Sequence, residues 1–246
     1  MTAVNSAPES DRLSQALEAQ TAYFATRRPI RMRPLDTPYI QRHFSEVTKA
    51  CGLGQDEAVC EWGSGLGRFS RLLLGHGRRL TGIELSPTLA AECRELLAKD
   101  LSVRIEAGDV ASVLNRLGDT FDLMLGFFVL HHLPDLRTYF RAAFAALRPG
   151  GRMAFSEPNP YHPLYPVQIA LTPGMRFREE AGIYRLYPKA VRQAAFDAGF
   201  SRVEIVRYGA LPRAPYNLLA RIGRERKLEI FVPDLIRPFQ TIVAWR

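Results

Sequence analysis

The stretch VCEWGSGLGRFSRLL, residues 59–73, runs from an apolar segment through three alternating glycines into a helical pattern. AVCEW (58–62) reads as a short strand, and Phe69, Leu72 and Leu73 fall at helical spacing. Between them, Gly63, Gly65 and Gly67 suit a turn where the backbone approaches a ligand closely and no Cβ intrudes. Turns of this kind usually cradle a phosphate. This one follows a carboxylate, Glu61, that would repel a phosphate, and the dinucleotide fingerprint G-x-G-x-x-G fails at Arg68. A ligand with an ammonium and a carboxylate fits better, the first drawn to Glu61 and the second to free amides at the helix start.

Outward from this turn the chain alternates strands and helices. Leu80–Glu84, Val103–Ala107, Phe121–Gly126, Arg152–Ser156, Arg202–Val206 and Thr241–Trp245 read as strands. Between them Ser86-Pro87 opens a helix with Leu89, Cys93, Leu96 and Leu97 on one face, and Val110–Leu117 forms another. A third carries Leu136, Phe140, Ala143, Phe144 and Leu147 and stops at Pro149-Gly150-Gly151, and a fourth runs from Pro188 to Gly199. The pattern predicts an α/β, doubly wound, mostly parallel sheet covered on both faces. Ahead of it lie a polar start (1–12), a helix over Leu13–Phe24, the link RRPIRMRP and a second helix from Pro38 to Cys51. The expected organisation is a helical N-terminal cap, 1–56, and a main domain, 57–246, interrupted by long insertions at 157–186 and 208–238.

Two more carboxylates stand at strand ends, where open α/β sheets bind ligands. Glu84, 21 residues after Gly63, can accept hydrogen bonds from both hydroxyls of a ribose, and Asp109 in AGDV can accept from an adenine amino group. Either alone also reads as a surface or helix-capping carboxylate. Together with Glu61 they suit S-adenosylmethionine, which has an amino-acid end and no phosphate.

CEWGSGLGR, GIELS, EAGDV, FDLMLGFFVLHHLPD and LRPGGRMAFSEP, in this order and spacing over roughly residues 57–157, resemble the successive motifs of the class I S-adenosylmethionine-dependent methyltransferases. PFQTIVAWR extends the likeness to the end of the chain. The resemblance implies a Rossmann-like sheet of seven strands with the last antiparallel, a small-molecule type of enzyme, and adenosylhomocysteine as the spent cofactor. It implies cofactor contacts from Glu61, Gly63, Gly65, Gly67, Glu84, Leu85, Asp109, Val110, Gly126 and Phe127. Trp62, where a smaller aliphatic residue is more usual, departs from the pattern and would reshape the pocket floor.

Methyl transfer from a sulfonium needs alignment above all, and a base only when the acceptor arrives protonated. His132 is the first candidate base and His131 the second, both just after the fourth strand, with shaping of the turn as the competing role. Asp135 reads as a helix cap. The Asp/Asn-Pro-Pro-Tyr signature of nucleic-acid amino-methyltransferases is replaced by Phe127-Phe128, which points to an apolar acceptor. Glu157, Tyr161, Tyr165 and Tyr184 are candidate acceptor contacts, alongside the plainer reading of strand-end charge and cap packing. The acceptor is expected to be a small organic or lipid-like metabolite methylated at oxygen, nitrogen or carbon. The alternatives are an RNA or protein methyltransferase, or an inert cofactor-binding protein.

Of the net +8, the last 46 residues contribute nine basic and four acidic side chains. There Leu218, Leu219 and Ile222 lie beside Arg221, Arg224, Arg226 and Lys227, the pattern of an interfacial helix or of a cap helix with a solvated outer face. Peripheral membrane contact is thus one reading of the charge, and nucleic acid is disfavoured by the lack of an RNA-binding module. No apolar run is long enough to span a bilayer, and three scattered cysteines (Cys51, Cys60, Cys93) form neither a disulfide framework nor a metal cluster. A cytoplasmic monomer or homodimer without metal is the expectation.

Overall fold

The computed structural model describes residues 33–118, 120–171 and 177–246, together with Leu17, Glu18 and Thr21. The polar start, most of the helix expected over Leu13–Phe24 and nearly all of the arginine-rich link lie outside the described residues. Leu17, Glu18 and Thr21 are helical.

Seven strands form one sheet: β1 (Ala58–Trp62), β2 (Arg79–Glu84), β3 (Val103–Ala107), β4 (Phe121–Phe127), β5 (Leu147–Pro158), β6 (Arg202–Tyr208) and β7 (Phe239–Trp245). Their order is β3-β2-β1-β4-β5-β7-β6. The first five run parallel, and β7 pairs antiparallel with both β5 and β6. Strand order reverses between β1 and β4, so a cleft opens past their carboxyl ends, beside the glycine turn.

Alternation along the strands sends side chains to two apolar layers. Cys60, Trp62, Met124 and Phe155 face one layer, covered by α4 (Val110–Leu117), α5 (Leu136–Ala146) and α8 (Pro188–Ala198). Val59, Leu123, Leu125, Ala154 and Val243 face the other, covered by α1 (Pro38–Cys51) through Ile40, Val47 and Cys51. Trp62 is therefore core, its ring 5.1 Å from Phe155, rather than pocket floor.

The helix starts follow from their caps. Thr37, Ser86 and Asp109 each accept a backbone amide three residues on, at the heads of α1, α3 (Pro87–Leu97) and α4, and Asp135 accepts from the amides of Arg137 and Thr138 at the head of α5. Two elements differ from the sequence reading. The helix after the glycines, α2 (Ser70–Leu73), is a single turn, because Gly65 and Gly67 hold left-handed angles that keep the preceding residues in turns. β5 begins at Leu147, so Pro149-Gly150-Gly151 lies within an irregularly paired strand instead of ending the helix.

The two insertions meet beyond the ends of β5 and β6. The first contains α6 (Tyr165–Leu171) and α7 (Phe177–Glu180), and the second α9 (Arg213–Ala220) followed by two short 3-10 turns. Asn159 donates to the carbonyls of Leu235 and Arg237, and His162 Nδ1 lies 2.7 Å from the Ile236 carbonyl, tying one insertion to the other. α9 docks on α1, where Asn217 accepts from the Tyr39 amide at 2.9 Å.

Candidate active site

The glycine turn is preset by the protein's own contacts. The Gly65 amide donates to Glu84 Oε2 at 2.8 Å and the Ser86 amide to Glu84 Oε1 at 2.9 Å, which locks the turn to the end of β2. Burial pushes the Glu84 carboxyl up while these amides pull it back. Each of its oxygens keeps a second lone pair, the arrangement that a pair of vicinal hydroxyls would fill.

Glu61 is only 2% exposed and accepts from the Ser70 hydroxyl. Burial lifts its carboxyl to about 7, against the lowering by Ser70, Ser64 and Arg68. An incoming ammonium would restore the charged form that burial disfavours. Asp109 caps α4 through Ser112 and also accepts from the Tyr139 hydroxyl. Leu85 and Val110 follow directly at the ends of β2 and the β3–α4 turn, half-buried and buried in turn.

The glycines make room for protein as well as for a ligand. A Cβ on Gly63 would sit 2.9 Å from Val129 Cγ2, and one on Gly126 2.7 Å from Val129 Cγ1. Gly67 is likewise crowded by Leu96 and Cys93. The Phe127 ring stacks on Phe69 at 3.8 Å within the core, so this residue can offer the cleft little but its backbone.

His131 takes the turn-shaping role, and Glu157 a buried one that the sequence did not suggest. His131 is buried, with Nδ1 2.6 Å from Glu157 Oε2 and Nε2 3.6 Å from Glu180 Oε2. Burial alone would strip its proton; the two carboxylates outweigh burial and hold its pKa at about 9. With Nδ1 bonded to one carboxylate and Nε2 facing another, the ring is held towards its protonated form, which favours a structural role over that of a base. Glu157 is 0% exposed, and its other oxygen accepts from the amides of Val129 and Leu130, both at 2.7 Å. It holds the turn after β4 and has no edge left for an acceptor. The His132 ring lies tilted against that of His131, centroids 3.9 Å apart, and is only partly buried. Arg185 and Gly182 of the first insertion pack on the His131 carbonyl, so this turn also anchors that insertion.

A stability prediction follows from the imidazolium. Its folded pKa lies above the unfolded value of 6.5, so its contribution is complete below pH 6.5 and disappears as pH rises through about 9. Unfolding free energy should drop by on the order of 3 kcal/mol across that window. Denaturant titrations at both ends should show the drop in the wild-type chain and lose it in His131→Asn. An equal drop in both proteins would refute the assignment.

Tyr161 is exposed and Tyr184 partly buried, while Tyr165 packs with Ile169 and Ile183 in a small cluster inside the first insertion. Packing therefore explains Tyr165 without an acceptor.

The sequence reading missed a polar group on α1. His43 is 1% exposed and ringed by Tyr39, Phe128, Tyr208 and Phe239, with centroids 4.6–5.6 Å away. Its Nδ1 lies 2.6 Å from the Tyr208 hydroxyl, which in turn bonds the Ser156 hydroxyl. Its Nε2 has no hydrogen-bond partner. Burial, then the fields of Arg68 and Arg42, hold its pKa well below the usual 6.5, so the ring is neutral. Phe44, next to His43 on α1, stacks on Phe127, which stacks on Phe69 just after the glycine turn, so this cage lies beside the cofactor turn. Phe128, at φ +58, is the one non-glycine residue with positive φ among the described residues. Such backbone costs about 1–3 kcal/mol and is held in place by its surroundings, here the 2.8 Å bond from its amide to the Ser156 carbonyl. Among the described residues no group of three metal-ligating side chains converges, and no helix is long and apolar enough to cross a membrane.

The family model described as a methyltransferase domain matches residues 35–205. A ubiquinone biosynthesis O-methyltransferase of Coxiella burnetii is 28% identical over 102 residues, 41% of this chain and 43% of the relative. A demethylmenaquinone methyltransferase of Tropheryma whipplei is 28% identical over 126 residues, 48% of this chain and 51% of the relative. The matched region thus spans about half the length of these curated relatives. In fold, the chain superposes on the N-methyltransferase NodS of Bradyrhizobium japonicum, solved with S-adenosyl-L-homocysteine, with a TM-score of 0.62 at 16% identity, covering 94% of this chain and 98% of that one. With the sheet order, the turn locked to Glu84 and the motif series, the family match makes the chain a member of the methyltransferase-domain family, among the class I S-adenosylmethionine-dependent methyltransferases.

Proposed function

We propose that this chain transfers a methyl group to a small, largely apolar acceptor carrying one hydroxyl or amine. The observation that carries this reading is the His43 cage: a neutral imidazole with a bare Nε2, walled by aromatic rings next to the glycine turn. S-adenosylmethionine, when bound, supplies the activated methyl. Glu61 would face its ammonium, Glu84 its ribose, and Asp109, with the lone pairs left beyond its cap, its adenine edge.

The chain's own contribution is alignment and a proton path. Holding two reactants in register can lower a barrier by about 7–11 kcal/mol. In the tautomer that carries its proton on Nδ1, His43 donates to the Tyr208 hydroxyl, which bonds Ser156 in turn, and the Nε2 lone pair is left free. That lone pair takes the acceptor's proton as the acceptor atom gains the methyl, so its O–H or N–H bond breaks as its bond to carbon forms, while the methyl's bond to sulfur would break and leave adenosylhomocysteine. His132, partly exposed after β4, is the second candidate for this task. The names of the two curated relatives refer to ubiquinone biosynthesis and to demethylmenaquinone, which supports a ring-bearing acceptor. Free, buried thiols suit work in a reducing cytoplasm.

Labelled S-adenosylmethionine offered with a panel of phenols, catechols, aromatic amines and tRNA tests the proposal. Label on an aromatic hydroxyl or amine supports it. Label only on tRNA would replace it with the nucleic-acid reading, and cofactor binding without any product would make the chain an inert binder.

A further inference from the structure

The second insertion is built the wrong way round for a solvated cap. Its polar side chains hold it to the body. Asn217 accepts from Tyr39, Glu229 pairs with Arg42 at 2.8 Å, and Asp234 pairs with Arg207 and Arg237. The carbonyls of Leu235, Ile236 and Arg237 are tied to Asn159 and His162. Its large apolar side chains point to solvent: Leu218, Ile222, Leu228, Ile230, Phe231 and Leu235, with Ile230 77% and Phe231 75% exposed. Scattered exposed apolar residues are ordinary, but six within eighteen residues mark an interaction surface.

The charges on the same segment say what kind. Arg221, Arg224, Arg226 and Lys227 are exposed among the apolar residues. Two of the segment's three acids, Glu229 and Asp234, are already neutralised by the ion pairs that dock it. Aromatic and aliphatic side chains that can enter an interface, flanked by four exposed cations against the one remaining acid, Glu225, match an anionic phospholipid surface. The first insertion, joined to the second through His162, adds exposed Leu164 and Val167 beside it.

We propose that the second insertion docks this protein on an anionic lipid bilayer, with Ile230 and Phe231 entering the interface and Arg221 and Arg224 meeting lipid phosphates. The insertion also packs on α1 next to Tyr39, a wall of the His43 cage, so docking puts the cage beside the bilayer. The proposal concerns where the protein sits. It stands or falls separately from the identity of the acceptor.

The test is sedimentation of the full chain with vesicles of phosphatidylcholine mixed with phosphatidylglycerol, and with phosphatidylcholine alone, at physiological salt. The mixed vesicles should bind the protein, and the neutral ones should bind it at least about tenfold more weakly. Ile230→Ser with Phe231→Ser, both on the surface, should lower partitioning at least about tenfold with the circular dichroism spectrum unchanged. Arg221→Glu with Arg224→Glu should remove the preference for anionic vesicles. Failure of the wild-type chain to sediment, or equal binding by the Ile230/Phe231 variant, overturns the proposal. So does release from vesicles by tRNA when both double variants still bind tRNA and vesicles as the wild type does, since the vesicle contact would then lie elsewhere.

Discussion

Replacing His43 with phenylalanine is expected to lower turnover about 10²–10⁴-fold, equivalent to about 3–5 kcal/mol of transition-state stabilisation. Phenylalanine is one ring atom larger but keeps an aromatic ring among the neighbours of His43, and the Tyr208 hydroxyl it releases still bonds Ser156, so the fold and the cofactor site should survive. Adenosylhomocysteine affinity should stay within about twofold, because the Glu61 and Glu84 contacts are untouched. Tyr208→Phe breaks the bond that fixes the Nδ1 side of the ring and should lower turnover less, since Tyr208 positions the imidazole and does not itself take the proton. Turnover measured with saturating cofactor decides the matter. Near-normal turnover in His43→Phe would hand the proton to His132 or show that the acceptor arrives deprotonated.

Glu157→Leu should cost about 3–5 kcal/mol of stability. The change strands the amides of Val129 and Leu130 and leaves the His131 imidazolium without its nearest carboxylate, all in a dry interior. Glu157→Gln keeps an acceptor for the two amides and should lose roughly half as much. Urea unfolding of both variants provides the comparison. A loss below about 1 kcal/mol in the leucine variant would mean that the turn after β4 is held by its backbone and packing alone.

The strands and the caps were legible in the sequence because each depends on local chemistry, whereas the reversal of strand order between β1 and β4 appears only in the assembled sheet. Ser86-Pro87, Asp109 and Asp135 announce helix starts by residue type, and the apolar runs mark strands buried on both faces. The error at Pro149-Gly150-Gly151 arose because the same residues that end a helix also permit an irregular strand start.

The site was less legible because its partners come from distant segments. His43 had a local signal: with Ile40, Val47 and Cys51 it falls on the buried stripe of α1, and a histidine there needs a reason. Nothing local says that Tyr208 and Ser156, 52 positions apart, meet it. Strand parity puts Glu157 on the side of Phe155 and away from α1, but only the fold brings His131 and Glu180 to it. In HHLPD two adjacent histidines look alike; the 3-10 turn over Leu130–His132 buries the first and leaves the second partly open.

The central claim is that the cleft beyond β1 and β2 binds a ribose and an amino-acid tail through strand-end carboxylates. Calorimetric titration of adenosylhomocysteine into the wild-type chain and into Glu84→Ala tests it most directly. One site is expected in the wild type, weakened by about 1–3 kcal/mol in the variant through loss of a charged acceptor. Heat from NADH with none from adenosylhomocysteine, or identical affinity in the two proteins, would contradict it.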